Sequence, residues 1–149
     1  MSGFIIRPYQ NNDFQDVMDI FKTNVPDYFD ASEIQELSNY LLHEIEDYFV
    51  IISNDKIVGA GGINYDNDNI TARLSWDFLD KHIQHKGAGT VLTQFRIQHV
   101  LKLKHIQKLI VRTSQFADGF YTKQGFQVKE RVKDYWAPGF DMIFMEYQK

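Results

Sequence analysis

A chain of 149 residues fits one domain and is too short for two ordinary ones. Its 44% apolar, 24% charged and 15% aromatic residues are a globular balance with material for a sizeable core, and the absence of cysteine excludes a disulfide framework and a thiol nucleophile. The net charge of −4 argues against nucleic acid as the main partner, because binding through phosphates calls for a basic excess.

The start, Met1-Ser2-Gly3-Phe4, lacks the basic and apolar segments of a signal peptide. No stretch approaches the roughly 20 apolar residues needed to cross a bilayer. The expectation is a soluble cytoplasmic protein with no membrane partner.

Gly3–Tyr9 reads as a strand ended by Pro8. A helix is predicted from about Asp13 to Thr23, with Phe14, Val17, Met18 and Phe21 on one face and Asn12 as its cap. A second is predicted from about Ser32 to Glu46, with Ile34, Leu37, Leu41 and Ile45 on one face and Asp30 or Ser32 capping it. Tyr48–Ser53 and Lys56–Tyr65 form a hairpin signal around Asn54-Asp55. Ile70–Leu79 then alternates, with Ala72, Leu74, Trp76 and Phe78 on one side. A long helix is predicted from about Gly87 to Lys104, its apolar face made of Ala88, Val91, Leu92, Phe95, His99 and Leu103. His99 on that face reads as a core histidine satisfied by one hydrogen bond. Lys108–Thr113 is a short strand, Ala117–Gln124 a short helix stopped by Gly125, and Phe126–Tyr135 and Phe140–Tyr147 are closing strands joined through Trp136–Gly139. Alternation of strands and helices without a linker or repeat predicts one α/β domain over 1–149.

Gln84-His85-Lys86-Gly87-Ala88-Gly89 lies between a strand and a helix. Glycines let a backbone approach a bulky anion, and the free N–H groups of a first helical turn attract it. The phosphate-loop lysine pattern does not follow Gly87. A dinucleotide site wants glycine where Leu92 stands and an acid near Leu109, and neither is present. His82-x-x-His85 has no evident third ligand, so no metal is expected. Gly59-Ala60-Gly61-Gly62 lies inside a strand and reads as close packing or a bulge.

Two motifs and the element order resemble the GNAT (Gcn5-related) N-acetyltransferases along nearly the whole chain. The family's R/Q-x-x-G-x-G/A pattern stands at Gln84–Gly89, and its alanine followed by F-Y-x-x-x-G-F stands at Ala117 and Phe120–Phe126. Lys81 replaces a frequent proline, His85 a frequent glycine, and Ser114 an asparagine that contacts the cofactor's arm in many members. The resemblance implies an α+β fold: a mixed, mostly antiparallel sheet of about seven strands, flanked by about four helices and splayed between strands 4 and 5.

It also implies acetyl-CoA as co-substrate and a primary amine, on a small molecule or a peptide, as acceptor. Backbone amides of Gln84, His85, Lys86, Gly87, Ala88, Gly89 and Thr90 would bind the pyrophosphate, with Ser114 beside the arm. A bulge in the fourth strand, expected near Phe78 and Leu79, would offer an amide to the thioester carbonyl. Tyr121 is the expected general acid for the departing thiolate, on the strength of a phenol pKa close to that of a thiol. Asp77 is a candidate acceptor of the amine's proton, with Glu46 and Asp47 as others. Tyr28 and Phe29 are expected in the acceptor wall. Phe140–Met145 is either interior or the surface of a homodimer. The alternative to an enzyme is a non-catalytic acyl-CoA-binding sensor.

Overall fold

The computed structural model describes residues 3–82 and 87–148. In chain order they form β1 (Phe4–Pro8), a 3₁₀ turn (Asn11–Asp13), α1 (Phe14–Lys22), α2 (Glu33–His43), β2 (Asp47–Ser53), β3 (Lys56–Tyr65), β4 (Thr71–Leu79), α3 (Ala88–Leu101), β5 (Lys108–Thr113), α4 (Asp118–Gln124), β6 (Phe126–Ala137) and β7 (Phe140–Tyr147). The strands make one sheet in the order β1-β2-β3-β4-β5-β7-β6. The β4–β5 pair is parallel and the other pairs are antiparallel. This is the expected seven-stranded mixed sheet with four helices.

The sheet buries both faces. One face packs on α3 and α4 around Leu74, Leu92, Ile97, Val111 and Met145. The other packs on α1 and α2 around Val17, Phe21, Leu37, Val50 and Phe78. Each fully buried aliphatic or aromatic side chain contributes roughly 1.5–3 kcal/mol, so these two layers drive the assembly.

Local chemistry sets the helix starts. Asp13, not Asn12, organises the entry to α1: its carboxylate accepts the Gln10 N–H at 2.8 Å and two N–H groups of Arg7 at 2.8 and 2.9 Å. Those donors hold its pKa below the ordinary carboxylate range. At α2, Asp30 accepts from the Ser32 N–H at 2.9 Å while Glu33 accepts from the Asp30 N–H at 3.1 Å. This helix ends three residues before the expected Glu46, because the chain enters β2 at Asp47. It also buries Tyr40 and Glu33, which lie outside the apolar stripe expected for its inner face.

The inner face of α3 differs from the expected one. Ala88, Leu92, Thr93, Arg96, Ile97 and Val100 are buried, while Phe95 is 39% exposed. His99 is half-buried beside Asp47, with Nε2–Oδ2 3.4 Å, not a core histidine. Helix packing selected the stripe that contains an arginine, which apolar periodicity passes over.

The register of β4 is irregular at one point. Ala60 pairs with Phe78 and Gly62 with Ser75, so Gly61 alone faces both Trp76 and Asp77. The bulge is therefore two residues earlier than expected. Trp76 has φ +47°, a left-handed conformation that costs a non-glycine residue on the order of 1–3 kcal/mol. Its indole packs at 5.9 Å from the Phe21 ring and 6.0 Å from Tyr40, and its carbonyl accepts the Tyr48 hydroxyl at 2.8 Å. Pairing of β4 with β5 stops at Leu74–Val111, just before the bulge. Residues 75–79 have no β5 partner.

The end of β4 is tied to the connection between α1 and α2. Asn24 Nδ2 donates to the Leu79 carbonyl at 2.8 Å, and Thr23 Oγ1 accepts the Lys81 N–H at 3.0 Å. At the other side of the sheet, β7 lies between β5 and β6, and Met142, Ile143 and Met145 are buried within the chain. Phe140–Met145 thus belongs to an interior strand of the sheet. Trp136 and Ala137 belong to β6, leaving Pro138 and Gly139 as the turn.

A Cβ on Gly62 meets Tyr48 Cδ1 at 2.4 Å and the Tyr40 hydroxyl at 3.1 Å. Gly62→Ala is expected to destabilise the fold by roughly 1–3 kcal/mol, read from the midpoint of urea unfolding.

Candidate functional site

The gap beside β4 opens into a cavity of about 620 Å³. Its floor is the free half of β4 and the end of β5, and its sides come from the α1–α2 connection, α3, α4 and the β6–β7 hairpin. At its centre lies a buried polar network. Arg96 on α3, fully buried, donates to Asp77 Oδ2, and the Tyr121 hydroxyl on α4 donates to the same oxygen. Arg96 also donates to the Gly62 carbonyl at 3.1 Å. Its Nε is buried with no partner among the described residues.

The bulge places Asp77 in this network. Ser75, before the bulge, bonds Tyr40 of α2 at 3.1 Å, and strict alternation would put Asp77 on that same face. The extra residue reverses the alternation and turns Asp77 toward α3 and α4. Gly61 makes room for it, since a Cβ there would stand 2.8 Å from Asp77 Cβ and 3.1 Å from Arg96 Cζ.

Burial pushes the Tyr121 hydroxyl well above its ordinary pKa, and the Asp77 charge pushes the same way. The close match to a thiol expected for Tyr121 is therefore absent. Burial opposes the charge of Arg96, but Asp77 and Tyr121 outweigh it and raise its pKa.

Leu79 supplies a backbone donor. Asp80 N–H bonds Val58 O at 2.8 Å, so the ladder's alternation turns both backbone groups of Leu79 away from β3. Its carbonyl takes Asn24, and its N–H points toward the gap.

The remaining expected residues divide. Tyr28, Phe29, Phe78, Gly89 and Ser114 line the cavity. Tyr28 packs against Phe116 at 5.6 Å, and Phe29 against Phe21 at 4.8 Å. Ser114 is engaged in its own turn, its carbonyl accepting the Ala117 N–H at 3.0 Å. Gly87 precedes α3 with φ +87°, a conformation that favours glycine. Ala88 is buried in the core, and Thr90 accepts from Gln124 at 3.3 Å. Gln84, His85 and Lys86 lie outside the described residues. Glu46 and Asp47 are not on the cavity: Glu46 accepts from Asn64 at 3.0 Å, and Asp47 accepts from the Tyr65 hydroxyl at 2.6 Å.

Two further cavity residues carry little signal in the sequence. Arg96 repeats four residues after Leu92, on the buried stripe of α3. Glu33 opens α2, is 5% exposed and lines the cavity. Burial raises its carboxyl pKa to about 7, offset in part by the Asp30 N–H and reinforced by Glu36 and Asp30.

The family described as "Acetyltransferase (GNAT) domain" matches residues 15–149. Among solved structures, the chain resembles a spermidine N-acetyltransferase from Vibrio cholerae in complex with CoA and spermine, at TM-score 0.74 and 17% identity, covering 98% of this chain and 95% of that one. It resembles the ribosomal-protein-S18-alanine N-acetyltransferase from Escherichia coli at TM-score 0.73 and 20% identity, with 97% and 92% covered. An aminoglycoside 6'-N-acetyltransferase complexed with coenzyme A gives TM-score 0.75 and 13% identity, with 95% of both chains covered. No curated protein matches the sequence.

Asp77→Ala strands the buried Arg96 charge and is expected to cost roughly 3 kcal/mol in chemical denaturation. Glu33 has the opposite signature. Its folded pKa of about 7 exceeds the ordinary value of 4.5, so the folded state holds the proton more tightly. The associated stability is present below the lower value and is lost as pH rises through about 7. Glu33→Gln should therefore match wild type near pH 5 and exceed it at pH 8 by on the order of 2 kcal/mol, read from paired unfolding curves.

Proposed function

The chain belongs to the GNAT acetyltransferase family, and on that premise we propose that it transfers an acetyl group from acetyl-CoA to a primary amine by direct attack. The observation that carries this reading is the parting of β4 from β5, with the Leu79 N–H turned into the gap and the Tyr121 hydroxyl on the same cavity.

The residues present fit the donor. The backbone from Ala88 to Thr90 offers the first-turn N–H groups that a helix leaves without intrahelical partners, after the left-handed turn at Gly87, for the pyrophosphate. The motif extends that contact to Gln84, His85 and Lys86. The unpartnered stretch of β4 would hold the pantetheine arm, with Phe78, Leu79 and Ser114 along it. Acetyl-CoA supplies an acetyl group activated as a thioester.

In the transfer, the carbon–nitrogen bond forms as the carbon–sulfur bond breaks. The Leu79 N–H would donate to the carbonyl oxygen as it gains charge, a contribution often worth roughly 3–4 kcal/mol. Tyr121 would donate its hydroxyl proton to the departing sulfur. Its raised pKa keeps it protonated until that charge appears beside it. Asp77 already accepts from Arg96 and Tyr121, so it is better suited to holding the Tyr121 side chain in place, its O–H turning from Asp77 to the sulfur for the transfer, than to taking the amine's proton.

Release of CoA thiol is the direct test, with a panel of primary amines. Tyr121→Phe should lower kcat by roughly 10²–10⁴-fold with little change in the KM for acetyl-CoA. Unchanged turnover removes Tyr121 from the chemistry. Thermal stabilisation by acetyl-CoA without turnover on any amine favours a sensor instead.

A further inference from the structure

We propose that Glu33 is the residue that receives the acceptor: it binds the substrate's ammonium group inside the cavity and takes its proton, and the aromatic side chains that line the same cavity select an amine carried on an apolar body. This rests on the acetyl-transfer reading and names the acceptor half of that site.

The cavity carries an imbalance of charge. A carboxylate is seldom buried without a cationic partner. Glu33 is 5% exposed, and the one hydrogen bond to its carboxylate among the described residues comes from the Asp30 N–H at 3.1 Å. No ion pair among those residues includes it. The charges that act on it, Asp30 and Glu36, have its own sign.

The cavity's cations are already committed. Arg73 pairs with Asp66 at 2.7 Å, Arg96 with Asp77, and Lys81 with Asp27. Arg112 lies over the Phe144 ring at 5.2 Å. Of the other cavity carboxylates, Asp77 is held by Arg96 and Tyr121, and Asp80 accepts the His82 N–H at 2.9 Å. Glu33 is thus the buried cavity anion that an entering cation would neutralise.

Its surroundings define the rest of the acceptor. Tyr28, Phe116 and Phe140 form a run of edge-to-face contacts at 5.6 and 6.0 Å along the cavity, and Trp136 lines it as well. Tyr28 and Phe116 are 43% and 49% exposed, so this aromatic surface is open to a ligand.

The protons balance. An ammonium gives one proton to Glu33 and becomes a nucleophilic amine. When that amine attacks, its nitrogen loses a second proton as the amide forms, and the thiolate gains one from Tyr121. The proton lost by the nitrogen leaves through solvent and one from solvent restores Tyr121. Glu33 returns its own proton to solvent after product leaves.

The test compares wild type with Glu33→Gln, which keeps an acceptor for the Asp30 N–H. The substrates are phenethylamine, hexylamine and spermidine, across pH 5.5–9, with acetyl-CoA binding monitored separately by thermal shift. Phenethylamine or hexylamine should be the better acceptor. E33Q should lower kcat/KM for that amine by roughly 10²-fold or more and abolish the acidic limb of its pH profile, leaving the acetyl-CoA shift intact. Activity of E33Q within threefold of wild type, with the same pH profile, overturns the inference while the acetyltransferase reading stands. So does a tenfold preference for spermidine over both apolar amines. Wild type that transfers to none of the three while acetylating some other amine also overturns the inference alone. Wild type that acetylates no amine at all overturns both.

Discussion

One additional residue in β4 sets the character of this site. Gly61 spans both Trp76 and Asp77, and the strand leaves the bulge with its faces exchanged. Two results come from one irregularity. Pairing with β5 ends at Leu74, which frees an edge inside the sheet, and Asp77 turns to the α3 side, where Arg96 and Tyr121 wait. A regular strand would have closed the gap and sent the carboxylate to the other layer. The cost is a tryptophan in the left-handed region, which the packing of Phe21 and Tyr40 and the Tyr48 hydrogen bond hold in place.

The charges depend on that geometry. An arginine with no solvent exposure is tolerable only against a well-placed anion, and Asp77 reaches it because the bulge turned it inward. The unpaired Nε shows that satisfaction is incomplete. Glu33, elsewhere on the cavity wall, has no such counter-ion among the described residues. The chain thus buries one balanced charge cluster and one unbalanced carboxylate around the same space. The first is what a fold needs to keep an arginine inside, and the second is a burden that stability alone does not explain.

Much of this was legible in the sequence because it obeys period and punctuation. The hairpin of β2 and β3, the stripe of α1 and the glycine at 125 each reflect a local rule, and those elements stand within a few residues of expectation, whereas the bulge splits the expected face of β4, leaving Ala72 and Leu74 on the α3 side and Trp76 and Phe78 on the α1 side. The motifs at Gln84–Gly89 and Phe120–Phe126 carried the family. What escaped depends on partners far apart in the chain. Arg96 looks like a surface residue until Gly61 and Asp77 are brought against it. Glu33 looks like an ordinary acidic helix start until the fold buries it in the lining of the cavity. The residue at which the bulge falls is a property of two strands in register, which one strand's pattern does not contain.

Thr23 and Asn24 fasten the end of α1 to the backbone at Leu79 and Lys81. The cavity wall formed by the α1–α2 connection therefore hangs from the same strand end that borders the gap beside β5. Between those anchors and Glu33, residues 25–32 include Phe29, which packs on Phe21, and Asp30, whose N–H bonds Glu33. One strand end thus fixes both the course of the α1–α2 connection and one edge of the cavity.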